Sequence, residues 1–155
     1  MNYRIQGLGP NTFRDLFALT DAELAARDIR RVVADEPHSA PCRVTLEDAE
    51  PGERLLLLPF DHHVASSPYQ ASGPIFVREK AASAFDAVGK LPPVFNGRLL
   101  SVRAYDESGM MLDADVVESD PRALFNKFFA NPDVEYLHVH YARRGCYSCR
   151  VERVS

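Results

Sequence analysis

Two stretches, VRAYDESGMMLDADVV (102–117) and HVHYARRGCYSCRVERV (138–154), constrain this chain more than any other feature. Each alternates residue character on both sides of a three-residue segment ending in glycine, Glu107-Ser108-Gly109 and Arg143-Arg144-Gly145. Glycine adopts the positive φ that closes such a loop without steric cost, so both stretches predict β-hairpins. The alternation also predicts a register. In the first hairpin Ala104, Val102 and Leu100 meet Leu112, Ala114 and Val116 on an apolar face, while Tyr105, Arg103 and Ser101 meet Met111, Asp113 and Asp115 on the other. In the second, Leu137, Val139 and Tyr141 meet Val151, Cys149 and Tyr147. The opposite face carries Tyr136 with Glu152, His138 with Arg150, and His140 with Ser148, and Cys146 joins it at the turn.

The rest of the chain reads as strands and short helices. YRIQGL (3–8) is a short strand ended by Gly9-Pro10. Residues 11–18 and 21–27 read as helices, the second opened by a capping box of Thr20 with Glu23. Strands are expected over 29–35, 42–46 and 74–79. The leucine run 55–58 lacks alternation, which places its strand centrally, covered on both faces. The polar stretch 61–73 reads as a long loop over the polar face, 80–94 as a short helix and a loop, and 120–130 as a helix with Pro121 in its first position. The fold class that follows is α+β in one domain, 1–155: a largely antiparallel, twisted sheet, its curl running toward a barrel, with a few short helices.

Composition excludes several function classes. Lys and Arg total 18 against 22 Asp and Glu, a net charge of −4, and the basic residues are scattered. Phosphate backbones call for clustered positive charge, so nucleic acid is not an expected partner. The longest apolar run, LLLLPF, is far too short to span a bilayer, and the start of the chain has no leader pattern. Three cysteines without such a leader point to reduced thiols and a cytoplasmic location.

The chemistry-bearing residues gather on the polar face of the hairpins. His138 and His140 lie about 7 Å apart along one strand, a spacing at which two imidazoles can share a divalent metal ion, with Cys146, Asp113 or His62 as further ligands. The competing reading is a pair of partly exposed histidines beside Arg150. The CYSC segment puts Cys146 and Cys149 on opposite faces, which disfavours a thiol redox pair or a zinc knuckle. Asp61-His62-His63 opens the long loop and can bring an acid or base over the face. Ser101 with Asp115, Asp113 and a histidine lacks the strained turn of a hydrolase nucleophile. Cys146 near Arg143, Arg144 and His140 is a candidate nucleophile. Arg43, Arg98, Arg103 and Arg150 are candidates for holding a carboxylate or phosphate, against the plainer reading of solvated sheet arginines.

The segments PCRVTLEDAEPGERLLLL, SPYQASGPIFVRE, RLLSVRAYDESGMMLDADVVE and HVHYARRGCYSCRVER resemble a bacterial family of small single-domain proteins, domain-of-unknown-function family 1203. The resemblance implies no activity, cofactor or catalytic residue. The family pattern carries Asn more often at position 141 and Ala more often at 149, so Tyr141 and Cys149 depart from it.

Two function classes remain in view. One is a binding module that holds a small anionic ligand or a partner motif through Arg103, Arg150, Ser101, Asp115, His62 and His138, with no cofactor. The other is a small, metal-assisted enzyme using His138 and His140 with Asp113 or Cys146.

Overall fold

A computed structural model describes residues 2–154. Nine strands form two sheets, and every strand pair is antiparallel. The larger sheet comprises β1 (Asn2–Gln6), β5 (Asp86–Val88), β6 (Leu99–Tyr105), β7 (Met111–Glu118), β8 (Tyr136–Tyr141) and β9 (Tyr147–Val154), in the order β5-β1-β9-β8-β6-β7. The smaller contains β2 (Arg30–Val33), β3 (Arg54–His63) and β4 (Ala71–Arg78), with β3 in the middle. The α+β class is as expected from the sequence. The sheet does not curl into a barrel; it is divided in two.

The main core lies on one face of the larger sheet. Ile5, Leu100, Val102, Leu137, Val139, Cys149 and Val151 pack there against Phe125, Phe128 and Phe129 of helix α3 (Arg122–Phe129) and against Val94 and Phe95. These strand positions alternate because successive strand side chains point to opposite faces. Helix α3 starts one residue later than its proline suggested: Pro121 is the residue before the helix, and Asp120 Oδ1 accepts from the Arg122 N–H at 3.1 Å.

A second core joins the leucine strand to helices α1 (Asn11–Arg14) and α2 (Asp21–Ala25), through Leu56, Leu58, Ile75, Phe13 and Leu24. Leu55 packs into a third cluster with Ala34, Ala40 and Ala49. The expected two-sided cover of the leucine run is met on the face of Leu56 and Leu58 and only in part on the other, where Leu55 is buried but Leu57 is half-buried and lines a cleft. Thr20 makes both bonds of its capping box at the start of α2.

Three local expectations fail. Residues 42–46 do not form a strand: only Pro41 and Cys42 make isolated bridges, and the chain turns so that Leu46 N–H donates to Cys42 O at 3.0 Å. Cys42, Val44 and Leu46 are all fully buried, and they serve different cores, which a straight strand cannot do. Residues 80–90 form no helix; β5 pairs with β1 instead, and a short 3-10 turn follows at Pro93–Phe95. The long loop is short, because β3 runs on to His63 and β4 begins at Ala71, with a bulge between Phe60 and His63. No helix of the described residues is long and apolar enough to cross a membrane.

Both hairpins contain a bulge absent from the alternation. In the first, Tyr105 faces Met111 as expected, but Ala104 faces Asp113, Val102 faces Asp115 and Arg103 faces Ala114, so Leu112 is the extra residue. In the second, the expected pairs hold from Tyr136–Glu152 to Val139–Cys149, and then His140 faces Tyr147, leaving Ser148 extra. A bulge shifts every later residue of its strand to the opposite face.

Candidate functional site

The larger sheet's second face carries Ser101, Arg103, Tyr105, Tyr136, His138, His140, Tyr147 and Arg150, placed side by side by the pairing of β6 and β9 with β8. This face is covered rather than open. The bulged end of β3 lays His62 and His63 on it, and His138 and His140 retain only 2% and 1% of their exposure. The expectation of partly exposed histidines is thus corrected by the packing of the smaller sheet's central strand on the larger sheet.

Four of the five histidines of the chain meet here. The ring of His62 stands 5.0 Å from His140 and 6.4 Å from His138, and His63 stands 5.1 Å from His138. Tyr147, brought to this face by the bulge at Ser148, stacks on His62 at 5.2 Å. His63 is fixed at both nitrogens. Its Nδ1 lies 2.7 Å from the Tyr69 carbonyl, which can only accept, so Nδ1 carries the proton and Nε2 accepts from the Tyr136 hydroxyl at 2.6 Å. By the same reasoning His140 Nδ1 donates to the Gly145 carbonyl at 3.0 Å. His140 Nε2, His138 Nδ1 and His62 Nδ1 are buried without a partner.

Burial favours the neutral form of His138, His140 and His62. Desolvation lowers His138 to about 2, aided by His63, His140 and Arg150, and lowers His140 to about 3 against the pull of the Gly145 carbonyl. His62 is lowered too, first by burial and then by His63 and Arg103. Among the described residues, no group of three or more His, Cys, Asp and Glu side chains is arranged to hold a metal ion.

Of the residues singled out from the sequence, Ser101, Arg103, His138, His140, Arg150 and His62 do share one face. Arg103 Nε points to Ser101 Oγ at 3.4 Å, while Arg150 donates to Glu152 at 2.9 Å and lies 4.1 Å over the Tyr136 ring. Asp113 and Asp115 do not join them. The bulge at Leu112 turns both to the opposite face, where they are exposed on an edge strand. Cys146 also leaves the histidine face, because the bulge at Ser148 puts Tyr147 opposite His140. The groupings of His138 and His140 with Asp113 or Cys146 are therefore not formed.

Cys146 lies in a cleft of about 590 Å³ beside the β8–β9 turn. Leu55, Leu57, Phe76 and Val32 make an apolar wall, and Arg43, Arg98, Arg143 and Arg144 supply positive charge against a single carboxylate on the wall, Asp35. Arg43 and Arg98 place their guanidinium groups 5.1 and 5.2 Å from the ring of Tyr141. Arg98 is bound in two-point fashion to Asp48, at 2.7 and 2.8 Å, and His38 also reaches Asp48, at 2.9 Å. Arg43 differs. It is 1% exposed, and its partners are the Tyr147 carbonyl at 2.7 Å, the Pro41 carbonyl at 2.5 Å and the Cys146 sulfur at 3.0 Å. Among the described residues no carboxylate pairs with it.

The sequence reading included Arg43 and Arg98 as anion-binding candidates but grouped them with Arg103 and Arg150. The structure divides the four, two to the cleft and two to the histidine face. The tandem Arg143-Arg144 in the turn was the available signal for the cleft.

A family model described as "Protein of unknown function (DUF1203)" matches residues 39–153. The chain belongs to this family. The DUF1203 match takes in the histidine face, the leucine strand and all four cleft arginines. It begins after β1 and β2, although β1 lies inside the larger sheet between β5 and β9. No curated protein and no solved structure matches the chain.

Proposed function

We propose that this DUF1203 protein is a binding module for a small organic anion with an apolar body, held in the cleft between Arg43, Arg98, Arg143, Arg144 and the leucine strand. The observation that carries this reading is Arg43. A guanidinium keeps its charge at any ordinary pH, and a buried charge without a counter-charge is costly. Carbonyl oxygens and a sulfur only partly offset it, so an anion entering the cleft supplies what the fold leaves out. The volume suits a small molecule.

The wall and the rim divide the task. Leu55, Leu57 and Phe76 accept the apolar body, while Arg143 and Arg144, which have no ion-pair partner among the described residues, meet the carboxylate or phosphate. A hollow of equal volume beside α2 and β2 suits an anion less well, since two carboxylates, Asp21 and Asp28, stand on its wall and Asp21 pairs with Arg31 at 2.9 Å. The net charge of −4 and the scattered basic residues favour a small molecule over nucleic acid or a membrane surface as the partner, and the free thiols suit a bacterial cytoplasm.

Thermal unfolding with 4-phenylbutanoate and with neutral 4-phenylbutanamide tests the reading. The acid raises Tm through mass action, by about 2.7 kcal/mol of stabilisation at a hundred times its Kd, and the amide does not. Arg143→Ala with Arg144→Ala weakens acid binding about tenfold, the effect of losing roughly 1.4 kcal/mol. Equal shifts from acid and amide would sink the anion reading.

A further inference from the structure

We propose that Cys146 is the nucleophile of this cleft and adds covalently to anionic electrophiles held there, the class being carboxylates conjugated to an activated carbon–carbon double bond. This rests on the cleft being an anion site and goes one step further, from binding to bond formation.

Three features of the site converge on the sulfur. First, Cys146 is the partly exposed member of the three cysteines, whereas Cys42 and Cys149 are buried, and Cys146 alone of them lines the cleft. Second, Arg43, a buried cation without a carboxylate partner among the described residues, aims its Nη2 at the sulfur at 3.0 Å. A guanidinium in that position stabilises negative charge on sulfur, and the thiolate is the attacking form. Third, Arg143 and Arg144 stand three and two residues before Cys146 and line the same cleft, so a carboxylate held by them is kept close to the thiol. Holding two reactants in one site converts a bimolecular encounter into a positioned one.

The step balances without an external oxidant or reductant. The thiol proton leaves to solvent, and the sulfur pair forms a bond to the β-carbon of the electrophile. The double-bond pair moves toward the activating carbonyl, and the α-carbon takes a proton from solvent. All atoms of the reagent are retained in the thioether.

Cys149 lies out of reach of a reagent in the cleft. It is fully buried in the main core, and burial pushes its thiol up to about 12. No cation donates to it as Arg43 donates to Cys146.

Intact-mass spectrometry of the whole protein with 3-benzoylacrylic acid and its neutral methyl ester tests the proposal, each rate being divided by that of the same reagent with free cysteine. The acid adds once, with a mass gain equal to the whole reagent, at Cys146 by peptide mapping, and with a normalised rate about tenfold above that of the ester. Cys146→Ser takes up no label, and Arg143→Ala with Arg144→Ala, both at the exposed turn, erases the preference for the acid. Labelling at another residue, or equal normalised rates for acid and ester, overturns the proposal. The saturated 3-benzoylpropionic acid, which cannot react, separates the two readings. If it raises Tm while Cys146 shows no preference for the acid reagent, the nucleophile fails and the anion site stands. If it leaves Tm unchanged, both fail.

Discussion

The Nδ1–H of His140 donates to the Gly145 carbonyl at 3.0 Å, which fixes Nε2 of the same ring as a bare lone pair buried without a partner. Beside it, His138 is buried among His63, Tyr105, Tyr136 and Tyr147. At the joint between the two sheets burial thus favours the neutral form of His138, His140 and His62, and acid acts on it directly.

A histidine lowered to about 2 or 3 in the folded chain, against about 6.5 unfolded, binds fewer protons folded than unfolded throughout that window. Stability is therefore complete above roughly pH 6.5 and falls as pH drops below it, by at most about 1.4 kcal/mol per pH unit for each ring. Urea unfolding at pH 7.5, 6 and 5 measures the slope. His138→Phe keeps a ring of similar size and should remove its share of that slope, about a third to a half given that His140 and His62 are lowered too; an unchanged slope would show that His138 is not a source of it.

Strand β7 is an edge, and such strands invite pairing with another chain. Here Asp113 Oδ1 accepts from the N–H of Ala114 at 2.8 Å and Asp115 Oδ1 from the N–H of Val116 at 2.7 Å, so two donors are taken by carboxylates next to them in sequence. Leu112 and Val116 are exposed on the same strand. Replacing both aspartates by threonine removes the charge and frees the donors while keeping strand propensity. Sedimentation velocity should show the doubly substituted chain associating more strongly with rising concentration than the unsubstituted one. Identical profiles would mean that the aspartates do not guard the edge.

The aspartates also show where the sequence was readable and where it was not. Alternation correctly assigned Val102, Val139, Cys149 and Val151 to the core, and the unbroken leucine run correctly marked a strand in the middle of its sheet, though its Leu57 side opens onto the cleft. The bulges at Leu112 and Ser148 left no mark, because one inserted residue changes the backbone path and not the composition. They moved Asp113 and Asp115 off the histidine face and put Tyr147 onto it. The gathering of His62 and His63 over His138 and His140 depends on how one sheet packs on the other, a contact between distant segments that local periodicity does not encode. The cleft has the same origin, since Arg43, Arg98 and the Arg143-Arg144 turn come from three separate parts of the chain.

Gly109 closes the first hairpin with φ +81°, and a Cβ there would stand 2.5 Å from Cβ of Ala65 in the β3–β4 connection. Ser67 Oγ donates to the Gly109 carbonyl at 2.8 Å, so this connection docks on the hairpin turn. Gly109→Ala therefore adds a collision to the backbone strain, whereas Gly52→Ala, at φ +92° with open space around it, adds strain alone. The Gly109 variant should lose about 1–3 kcal/mol more than the Gly52 variant in urea unfolding. Equal losses would show that the connection yields without cost.

Glu53 and Arg78 tie the start of β3 to the end of β4 and to the irregular segment 42–50. Arg78 donates to both carboxylate oxygens of Glu53, at 2.8 and 3.0 Å, and reaches Thr45 Oγ1 at 3.2 Å, while the Glu50 N–H donates to Glu53 at 2.6 Å. The two side chains are only 8% and 12% exposed. Burial pushes the Glu53 carboxyl up, but the bonds from Arg78 and the Glu50 N–H outweigh it, and the group sits below the usual carboxylate range. A carboxyl lowered by folding contributes stability above its unfolded pKa of about 4.3 and loses it as pH falls through the folded value. Glu53→Gln removes the charge at every pH and leaves Arg78 buried beside a neutral amide, with Glu47 4.0 Å away as its remaining carboxylate. The expected cost at pH 7 is about 3–5 kcal/mol, and Glu53→Met with Arg78→Met should recover much of it, because removing both charges also removes their desolvation. A double variant no more stable than Glu53→Gln would show that the hydrogen bonds to Thr45 and Glu50, rather than the buried charge, set the cost.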